Sequence, residues 1–306
     1  MRILVTGGAG FIGSHIVDAY INQGHEVVII DDLSSGREAN LNPKAEFFQL
    51  QIQDRKVTEI FGRFKFDLVN HHAAQMDVRK SVADPVFDAS VNVLGTLNLL
   101  ENCVKHRVRK FIFASTGGAV YGEQEAFPAD ETHPTWPLSP YGITKLTCEK
   151  YLFYYQQVYN LPHVILRYAN VYGPRQNPHG EAGVVAIFIE KLLGGSHPVI
   201  NGDGKQTRDY VFVEDLVRAN LMATAFSRTD VFNIGTSKET DVNTIFRLLK
   251  ELTGSDSPEQ RGPAKKGEQL RSCLTFSKIE KTLGWKPEVE LRTGLQRTVH
   301  YFQSNQ

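Results

Sequence analysis

A glycine-rich turn near the start of the chain constrains the fold more than any other feature. Gly7, Gly10 and Gly13 stand between an apolar, β-branched run at 2–6 and a helical pattern at 11–23. Glycine there permits a tight turn, lets the backbone approach a pyrophosphate, and packs the helix closely on the strand. The N-terminus of such a helix presents amides and a positive dipole to phosphates. The motif therefore predicts a dinucleotide-binding unit at the start of a doubly wound α/β fold.

Two aspartates, Asp31 and Asp32, follow the second apolar run at 26–30. A carboxylate at the end of this strand hydrogen-bonds the adenosine ribose of a dinucleotide. Two adjacent carboxylates repel a 2′-phosphate, so the pair favours NAD over NADP, whereas Arg37 in the next loop argues mildly for NADP. The alternative is a tight glycine turn that binds no ligand, and the strand–loop–helix context makes it the weaker interpretation.

Apolar runs and helical patterns alternate along the first half of the chain. Runs that are apolar throughout and alternate with helices are typical of a parallel sheet covered on both faces. We therefore predict an NAD-binding Rossmann domain at 1–168, completed by a returning strand near 231–235, and a smaller α/β substrate-binding domain at 169–306. The predicted strands of the first domain are 2–6, 26–30, 45–49, 67–70, 110–115 and 163–167.

Two pairs of a capping residue and a proline predict the long helices of this domain. Asp84-Pro85 begins a helix that runs to about residue 106, and Ser139-Pro140 begins one that runs to about residue 160. Farther along the chain, the segments at 172–180 and 201–209 are predicted as loops.

Composition excludes several classes of protein. The 306 residues include 34 basic and 34 acidic side chains, so the net charge of zero favours neither nucleic acid nor an anionic membrane. No apolar run reaches the length of about 18 residues that a membrane span needs, and the N-terminus does not resemble a signal peptide. Cys103, Cys148 and Cys273 lack CxxC spacing and predict reduced thiols in the cytoplasm. His71 and His72 point to opposite faces of a strand, so no metal site is expected.

Tyr141 and Lys145 are four residues apart and share one face of the helix that begins at Ser139-Pro140. Free tyrosine has a pKa of about 10, and lowering it to neutrality requires about 4 kcal/mol. One ammonium at about 4 Å supplies that much at an effective dielectric constant of about 20. The alternative is a surface helix that carries both residues by chance. The glycine turn, together with Ser115 and Thr116 at a strand's C-terminal end, favours a general acid/base pair instead.

An ordered set of motifs resembles the extended short-chain dehydrogenase/reductase family, in particular its nucleotide-sugar 4-epimerases. The resemblance covers essentially the whole chain. Its motifs are TGGAGFIG (6–13), DDLSSG (31–36), HHAAQMDVRKSVADP (71–85), NVLGTLNLLE (92–101), STGGAVYG (115–122), SPYGITK (139–145), LRYANVYGPRQ (166–176), RDYVFVEDL (208–216) and LGW (283–285).

The resemblance implies an enzyme that retains NAD and inverts a sugar at C4. Tyr141, as a tyrosinate, would take the proton of the 4-hydroxyl while hydride passes from C4 to NAD, and Lys145 would bind the nicotinamide ribose. The expected reaction interconverts UDP-glucose and UDP-galactose, with UDP-GlcNAc and UDP-GalNAc as further candidate substrates. The alternatives are a 4-epimerase of a UDP-pentose or UDP-uronic acid, and an NAD-bound scaffold without catalysis.

The family's binding positions map onto this chain residue by residue. The cofactor contacts implied are Gly7, Gly10, Phe11, Ile12, Gly13, Asp31, Asp32, Gln51, Ile52, Ala73, Ala74, Asn92, Tyr141, Lys145 and Tyr168. The substrate contacts implied are Thr116, Tyr141, Asn170, Arg208, Lys265 and Ser272.

The chain departs from the family pattern at several of these positions. The family's catalytic hydroxyl falls on Gly117, so the role moves to Thr116, with Ser115 as the alternative. Related dehydratases carry an Asp-Glu pair and decarboxylases a Glu after the threonine, whereas Gly117-Gly118 has no acid, which disfavours elimination.

Two other departures concern binding residues. Gln51 replaces an aspartate that contacts adenine, and Lys265 or Lys266 replaces an anchoring arginine, which keeps the charge without the bidentate fork.

Two further expectations concern specificity and assembly. Ser272 falls at the family's gate for N-acetylhexosamines and, being small, predicts a permissive pocket; the alternative is an uninformative surface serine. The helices at 85–106 and 139–160 pair across a homodimer in this family. The second of them carries more aromatic surface than one helix face buries: Tyr151, Phe153, Tyr154 and Tyr155.

Overall fold

A computed structural model describes residues 1–179, 183–264 and 269–305. The strands are β1 (Arg2–Thr6), β2 (Glu26–Asp31), β3 (Glu46–Gln49), β4 (Leu68–His71), β5 (Lys110–Thr116), β6 (His163–Tyr168), β7 (Asn170–Tyr172), β8 (Val199–Asn201), β9 (Thr207–Phe212), β10 (Asp230–Ile234), β11 (Glu239–Asp241), β12 (Gln260–Gly262) and β13 (Arg271–Ser272). The α-helices are α1 (Phe11–Asn22), α2 (Val57–Phe64), α3 (Val78–Ala83), α4 (Pro85–Ala89), α5 (Gly95–Lys105), α6 (Gly117–Val120), α7 (Pro140–Tyr159), α8 (Val184–Leu193), α9 (Val213–Ala225), α10 (Val242–Thr253), α11 (Ser277–Leu283) and α12 (Leu291–Ser304).

The central layer is a seven-stranded parallel sheet in the order β10-β6-β5-β4-β1-β2-β3. Its strands are apolar throughout because both faces are covered. Ile3 and Val5 pack with α1 on one face, and Leu4 packs with Leu99 of α5 and Leu152 of α7 on the other. This architecture confirms the predicted doubly wound fold. The order reverses direction at β1 and β4, which is where such sheets bind ligands.

A smaller layer forms around β9, which pairs with β7 and β13 in parallel and with β11 in antiparallel orientation. Its separate core joins α8, α10 and α12, with the rings of Phe188 and Phe246 6.0 Å apart. Two elements of the second half belong to the central layer instead. Strand β10 pairs with β6, and Ala219 and Ala223 of α9 pack in the same core as Val5.

The predicted helix at 85–106 is wrong in its middle. A π-helical turn at Ser90–Leu94 separates α4 from α5. The carbonyl oxygen of Asn92 accepts hydrogen bonds from Thr96 Oγ1 at 2.6 Å and Cys148 Sγ at 3.2 Å. Side chains that insert into the backbone ladder in this way distort a helix.

The smaller layer departs from the loops that the sequence predicted there. The predicted loop at 201–209 is wrong at its C-terminal end, because β9 begins at Thr207.

Within the described ranges, none of the helices combines the length and apolarity needed to cross a bilayer.

Candidate active site

The glycine turn has the geometry that a pyrophosphate site requires. Gly7 has a φ of 72°, and a methyl group on Gly13 would lie 2.1 Å from the Gly7 carbonyl oxygen. Helix α1 therefore begins closer to β1 than any side chain at 13 would allow. Among the described residues, no side chain caps its N-terminus at Gly10, so its first amides remain available to an anion. The residues present thus fit a dinucleotide phosphate.

The carboxylate of Asp31 closes the turn from the next strand. It accepts hydrogen bonds from the amides of Ala9 at 3.0 Å and Leu33 at 2.9 Å, and burial raises its pKa. A carboxylate accepts about four hydrogen bonds, so acceptor capacity remains for the ribose hydroxyls. Asn40, which the sequence did not single out, donates to the Ala9 carbonyl at 3.0 Å. Asp32 is half-buried and accepts from the Ser34 amide at 2.9 Å.

Further residues predicted to contact the cofactor differ in their contacts and in their burial. The amide of Ala73 donates to Thr6 Oγ1 at 3.2 Å and lies against Gly7, with half-buried Ala74 next to it. Gln51 is exposed just beyond β3, and Ile52 is buried in the core beneath it.

Asn92 and Tyr168 use their polar atoms inside the protein. The Asn92 amide bonds the backbone of Gln75 and the side chains of Asp88 and Thr144. The Tyr168 hydroxyl accepts from Asn220 Nδ2 at 2.8 Å. These contacts give both side chains a role in the framework of the site.

The tyrosine and lysine lie at the start of α7. Ser139 caps this helix by accepting from the Gly142 amide at 3.2 Å, and the Tyr141 amide donates to Ser81 Oγ at 3.2 Å. One turn later, Lys145 is 4% exposed. Its Nζ donates to the Ala114 carbonyl at 2.9 Å, and burial lowers its pKa to about 8. The ammonium is thus held between α7 and β5, one turn from Tyr141.

The histidines beside this lysine are neutral. His71 lies between Thr6 Oγ1 at 2.6 Å and Thr96 Oγ1 at 2.9 Å, and burial lowers its pKa well below the usual value. His72 stacks on Tyr168, and loss of solvent around its ring lowers its pKa to about 3. The two rings have different partners, as the alternation of a strand requires. In the part of the chain that the structure describes, no cluster of His, Cys, Asp and Glu could hold a metal.

The two candidate hydroxyls at the end of β5 differ in environment. Ser115 is 4% exposed, and its Oγ donates to Glu149 Oε1 at 2.5 Å. Thr116 is half-buried, and a methyl group on Gly118 would lie 3.8 Å from both Thr116 Oγ1 and Asn170 Oδ1. The Thr116 hydroxyl and the Asn170 amide therefore flank Gly118, whereas the Ser115 hydroxyl is hydrogen-bonded to Glu149 in the protein interior.

Gly117 and Gly118 differ in the space around them. A methyl group on Gly117 would lie 2.3 Å from Leu274 Cδ1, so no side chain fits there without moving the core. A methyl group on Gly118 would come no closer than 3.8 Å to the described residues beyond its chain neighbours. Both residues begin α6 directly after Thr116. The site therefore has an open shelf at Gly117–Gly118. It has no carboxylate at the position where the related dehydratases carry one.

The predicted substrate residues of the second half meet along β9. Asn170 in β7 pairs with Tyr210, and Arg208 pairs with Ser272 in β13. Ser272 is 2% exposed, so the alternative of a surface serine is wrong. Lys265 and Lys266 lie outside the described residues.

A buried ion pair supports the site, and the sequence prediction missed it. Arg167 donates to Glu149 through Nε at 3.0 Å and Nη2 at 2.6 Å, and its Nη1 donates to the Tyr121 hydroxyl at 2.9 Å. Two signals pointed to this pair: a charged residue inside the apolar run 163–168, and a glutamate one turn after Lys145. The pair ties α7 to β6 and β5.

Fold and site together define a class of protein: a Rossmann enzyme that uses a dinucleotide. The chain belongs to the NAD dependent epimerase/dehydratase family, whose sequence profile matches residues 3–235.

Solved structures and a curated relative agree with this family assignment. The UDP-glucose 4-epimerase of Thermotoga maritima, solved with UDP-glucose, is 50% identical with a TM-score of 0.98, covering 100% of this chain and 99% of that one. The UDP-glucose 4-epimerase of Thermus thermophilus, solved with NAD, is 44% identical with a TM-score of 0.95 and 99% coverage of both. The UDP-glucose 4-epimerase of Mycolicibacterium smegmatis is 44% identical over 310 aligned residues, covering 99% of both chains.

Proposed function

We propose that this protein is an NAD-dependent 4-epimerase that interconverts UDP-glucose and UDP-galactose. The observation that carries the proposal is the Tyr141–Lys145 pair on α7, next to a shelf at Gly117–Gly118 that holds no acid. An acid/base pair without a second carboxylate suits oxidation and reduction at C4 better than elimination. The activity of the relatives described above supports the same reaction.

The chain's own residues bind NAD in a defined arrangement. The turn at Gly7–Gly13 and the N-terminus of α1 hold the pyrophosphate, Asp31 the adenosine ribose, and Lys145 the nicotinamide ribose. When bound, NAD supplies the hydride acceptor for C4 of the sugar and returns the hydride to the opposite face.

Proton transfer belongs to Tyr141. Its phenolate takes the proton of the sugar 4-hydroxyl and later returns it, and the ammonium of Lys145 favours the phenolate. Thr116 hydrogen-bonds the same sugar oxygen, while Asn170 and Arg208 hold the diphosphate. Because Gly118 has no side chain, the 4-keto sugar has room to rotate between the two hydride transfers.

We also propose that the pocket accepts N-acetylhexosamines, because Ser272 is small and adjoins Arg208 in the sheet. Purified enzyme should interconvert UDP-GlcNAc and UDP-GalNAc, and Ser272→Tyr should remove this activity while UDP-glucose still reacts. Wild-type enzyme that leaves UDP-GlcNAc untouched contradicts the proposal on Ser272.

We propose a homodimer through α4, α5 and α7. This face exposes Val86, Phe153 and Tyr154 at 78%, 62% and 45%, whereas Tyr155 is buried and its hydroxyl donates to Glu101. Small-angle scattering should give the mass of a dimer, and Phe153→Asp should reduce it to that of a monomer. A wild-type monomer refutes the assembly.

Cys103, Cys148 and Cys273 are buried thiols that form no disulfide, which suits a reducing cytoplasm.

The experiment that tests the reaction is a product assay on purified protein without added NAD. UDP-galactose should yield UDP-glucose, and Tyr141→Phe should abolish turnover while retaining NAD, since the turn at Gly7–Gly13, Asp31 and Lys145 are unchanged. Turnover in Tyr141→Phe refutes the mechanism. A panel that also contains UDP-pentoses and UDP-uronic acids identifies another substrate if UDP-galactose does not react.

A further inference from the structure

The pair with Tyr141 does not explain how the buried Lys145 stays positively charged. Its ammonium is buried, and its hydrogen bond to the Ala114 carbonyl and its position 4.8 Å from the Phe113 ring centroid are both neutral contacts. Burial favours the uncharged amine, which would leave Tyr141 without its stabilising cation. A nearby carboxylate would offset part of this loss of solvent around Nζ.

Several titratable groups face Lys145, and most of them carry no net charge that could stabilise its ammonium. His71 and His72 on β4 are neutral, as described above. Burial raises the pKa of Cys148 to about 11, so its thiol is uncharged at neutral pH. Glu149, one turn beyond Lys145, forms a buried salt bridge with Arg167 through two hydrogen bonds, so this pair has little net charge.

Asp88 on α4 is the remaining group, and it is fully buried. Its carboxylate accepts hydrogen bonds from Gln75 Nε2 at 2.8 Å, Asn92 Nδ2 at 3.1 Å and Thr144 Oγ1 at 2.7 Å. All three donors are neutral. Among the residues that the structure describes, no basic side chain forms a salt bridge with Asp88. These neutral donors add no positive charge, so nothing within its own hydrogen bonds offsets the charge of the carboxylate.

Asp88 is also tied to the residue before Lys145. Thr144 Oγ1 donates to Asp88 and contacts the Tyr141 carbonyl at 3.0 Å, so the carboxylate lies against the first turn of α7. The charge of Asp88 is among those that favour protonated Lys145. Charges in a protein interior act over several ångströms with little screening.

We infer that Asp88 is a positioning residue that keeps Lys145 protonated during turnover. The inference rests on the proposed function, because the charge of Lys145 matters only if Tyr141 must ionise. Asp88 touches neither substrate nor cofactor in this scheme. It acts through Lys145, and Lys145 acts through Tyr141.

The test measures the titration of Lys145 in holoenzyme labelled at lysine Cε, with the resonance assigned by its loss in Lys145→Met. Asp88→Asn keeps the shape and one of the two acceptor oxygens but removes the charge. It should lower the pKa of Lys145 by about one unit, since a nearby opposite charge shifts a pKa by about 1–3 units. The alkaline limb of the kcat profile should move down by the same amount, with KM and bound NAD unchanged.

Thr144→Val is the matched control, because it removes one hydrogen bond from the same cluster and keeps the Asp88 charge. Its Lys145 titration should match that of the wild type. An unchanged titration in Asp88→Asn, or equal shifts in both variants, overturns the inference. If Asp88→Asn does not fold, the smaller Asp88→Ser gives the same comparison.

Failure of the proposed function has a different signature. Wild-type enzyme that epimerises no UDP-sugar refutes the function. The Lys145 titration still reports whether the charge of Asp88 keeps Lys145 protonated. Wild-type epimerisation together with an unmoved titration refutes only the role of Asp88.

Discussion

Removing the charge of Glu149 should destabilise the protein more than any exposed charge substitution. In Glu149→Gln the retained oxygen can still accept from Ser115 and Arg167 Nε, but the new amide faces Arg167 Nη2, donor against donor. The side chains of Arg167 and Glu149 are only 8% and 5% exposed, so the guanidinium is left buried without a counter-charge. Breaking a buried pair in this way costs about 3–5 kcal/mol.

Urea denaturation of the holoenzyme measures this loss, and thermal denaturation should show Tm lowered by about 6–10 °C. Glu251→Gln is the control, because its pair with Arg292 at 2.5 Å is more than half exposed and water replaces the lost contact. The double variant Glu149→Gln/Arg167→Met should regain stability, since it removes the unpaired cation as well. A loss in Glu149→Gln no larger than that of the control refutes the reasoning.

Three further predictions follow from the site. Gly13→Ala forces a methyl group against the loop backbone and should yield protein purified without NAD, as absorbance and mass analysis would show. Gly117→Ala should lower Tm because its methyl group meets Leu274, whereas Gly118→Ala should melt at the wild-type temperature. Burial lowers the pKa of Lys145 to about 8, below its value of about 10.4 in an unfolded chain, so between these values only the unfolded chain binds the proton and stability rises with pH. Denaturation curves at pH of about 8 and 10 should show a smaller rise in Lys145→Met.

The sequence predicted the parts of the site that depend on local pattern. The turn at Gly7–Gly13, the start of α7 at Ser139-Pro140, and the strands of the central sheet each follow from residues that are neighbours in the chain. Propensity, capping and periodicity act over short distances, so one sequence is enough to detect them.

The rest of the site depends on contacts between distant residues. Neither the π-helical turn after α4 nor the commitment of Ser115 to Glu149 has a local signal, because each arises from a side chain on another element. The same holds for Asp88, whose hydrogen-bond donors come from the loop after β4, the π-helical turn and α7. The different environments of Ser115 and Thr116 are therefore visible only in the packed structure.

The membership of α9 and β10 in the central layer has a consequence for synthesis. The apolar face of β1 is covered in part by Ala219 and Ala223, and the edge of β6 is paired by 230–234. A nascent chain that has emerged only to residue 168 would expose that face and that edge to solvent and to other chains. We expect the nucleotide-binding half to become stable only after the ribosome has released about three quarters of the polypeptide, so the two halves mature as one unit and cannot be exchanged separately between relatives.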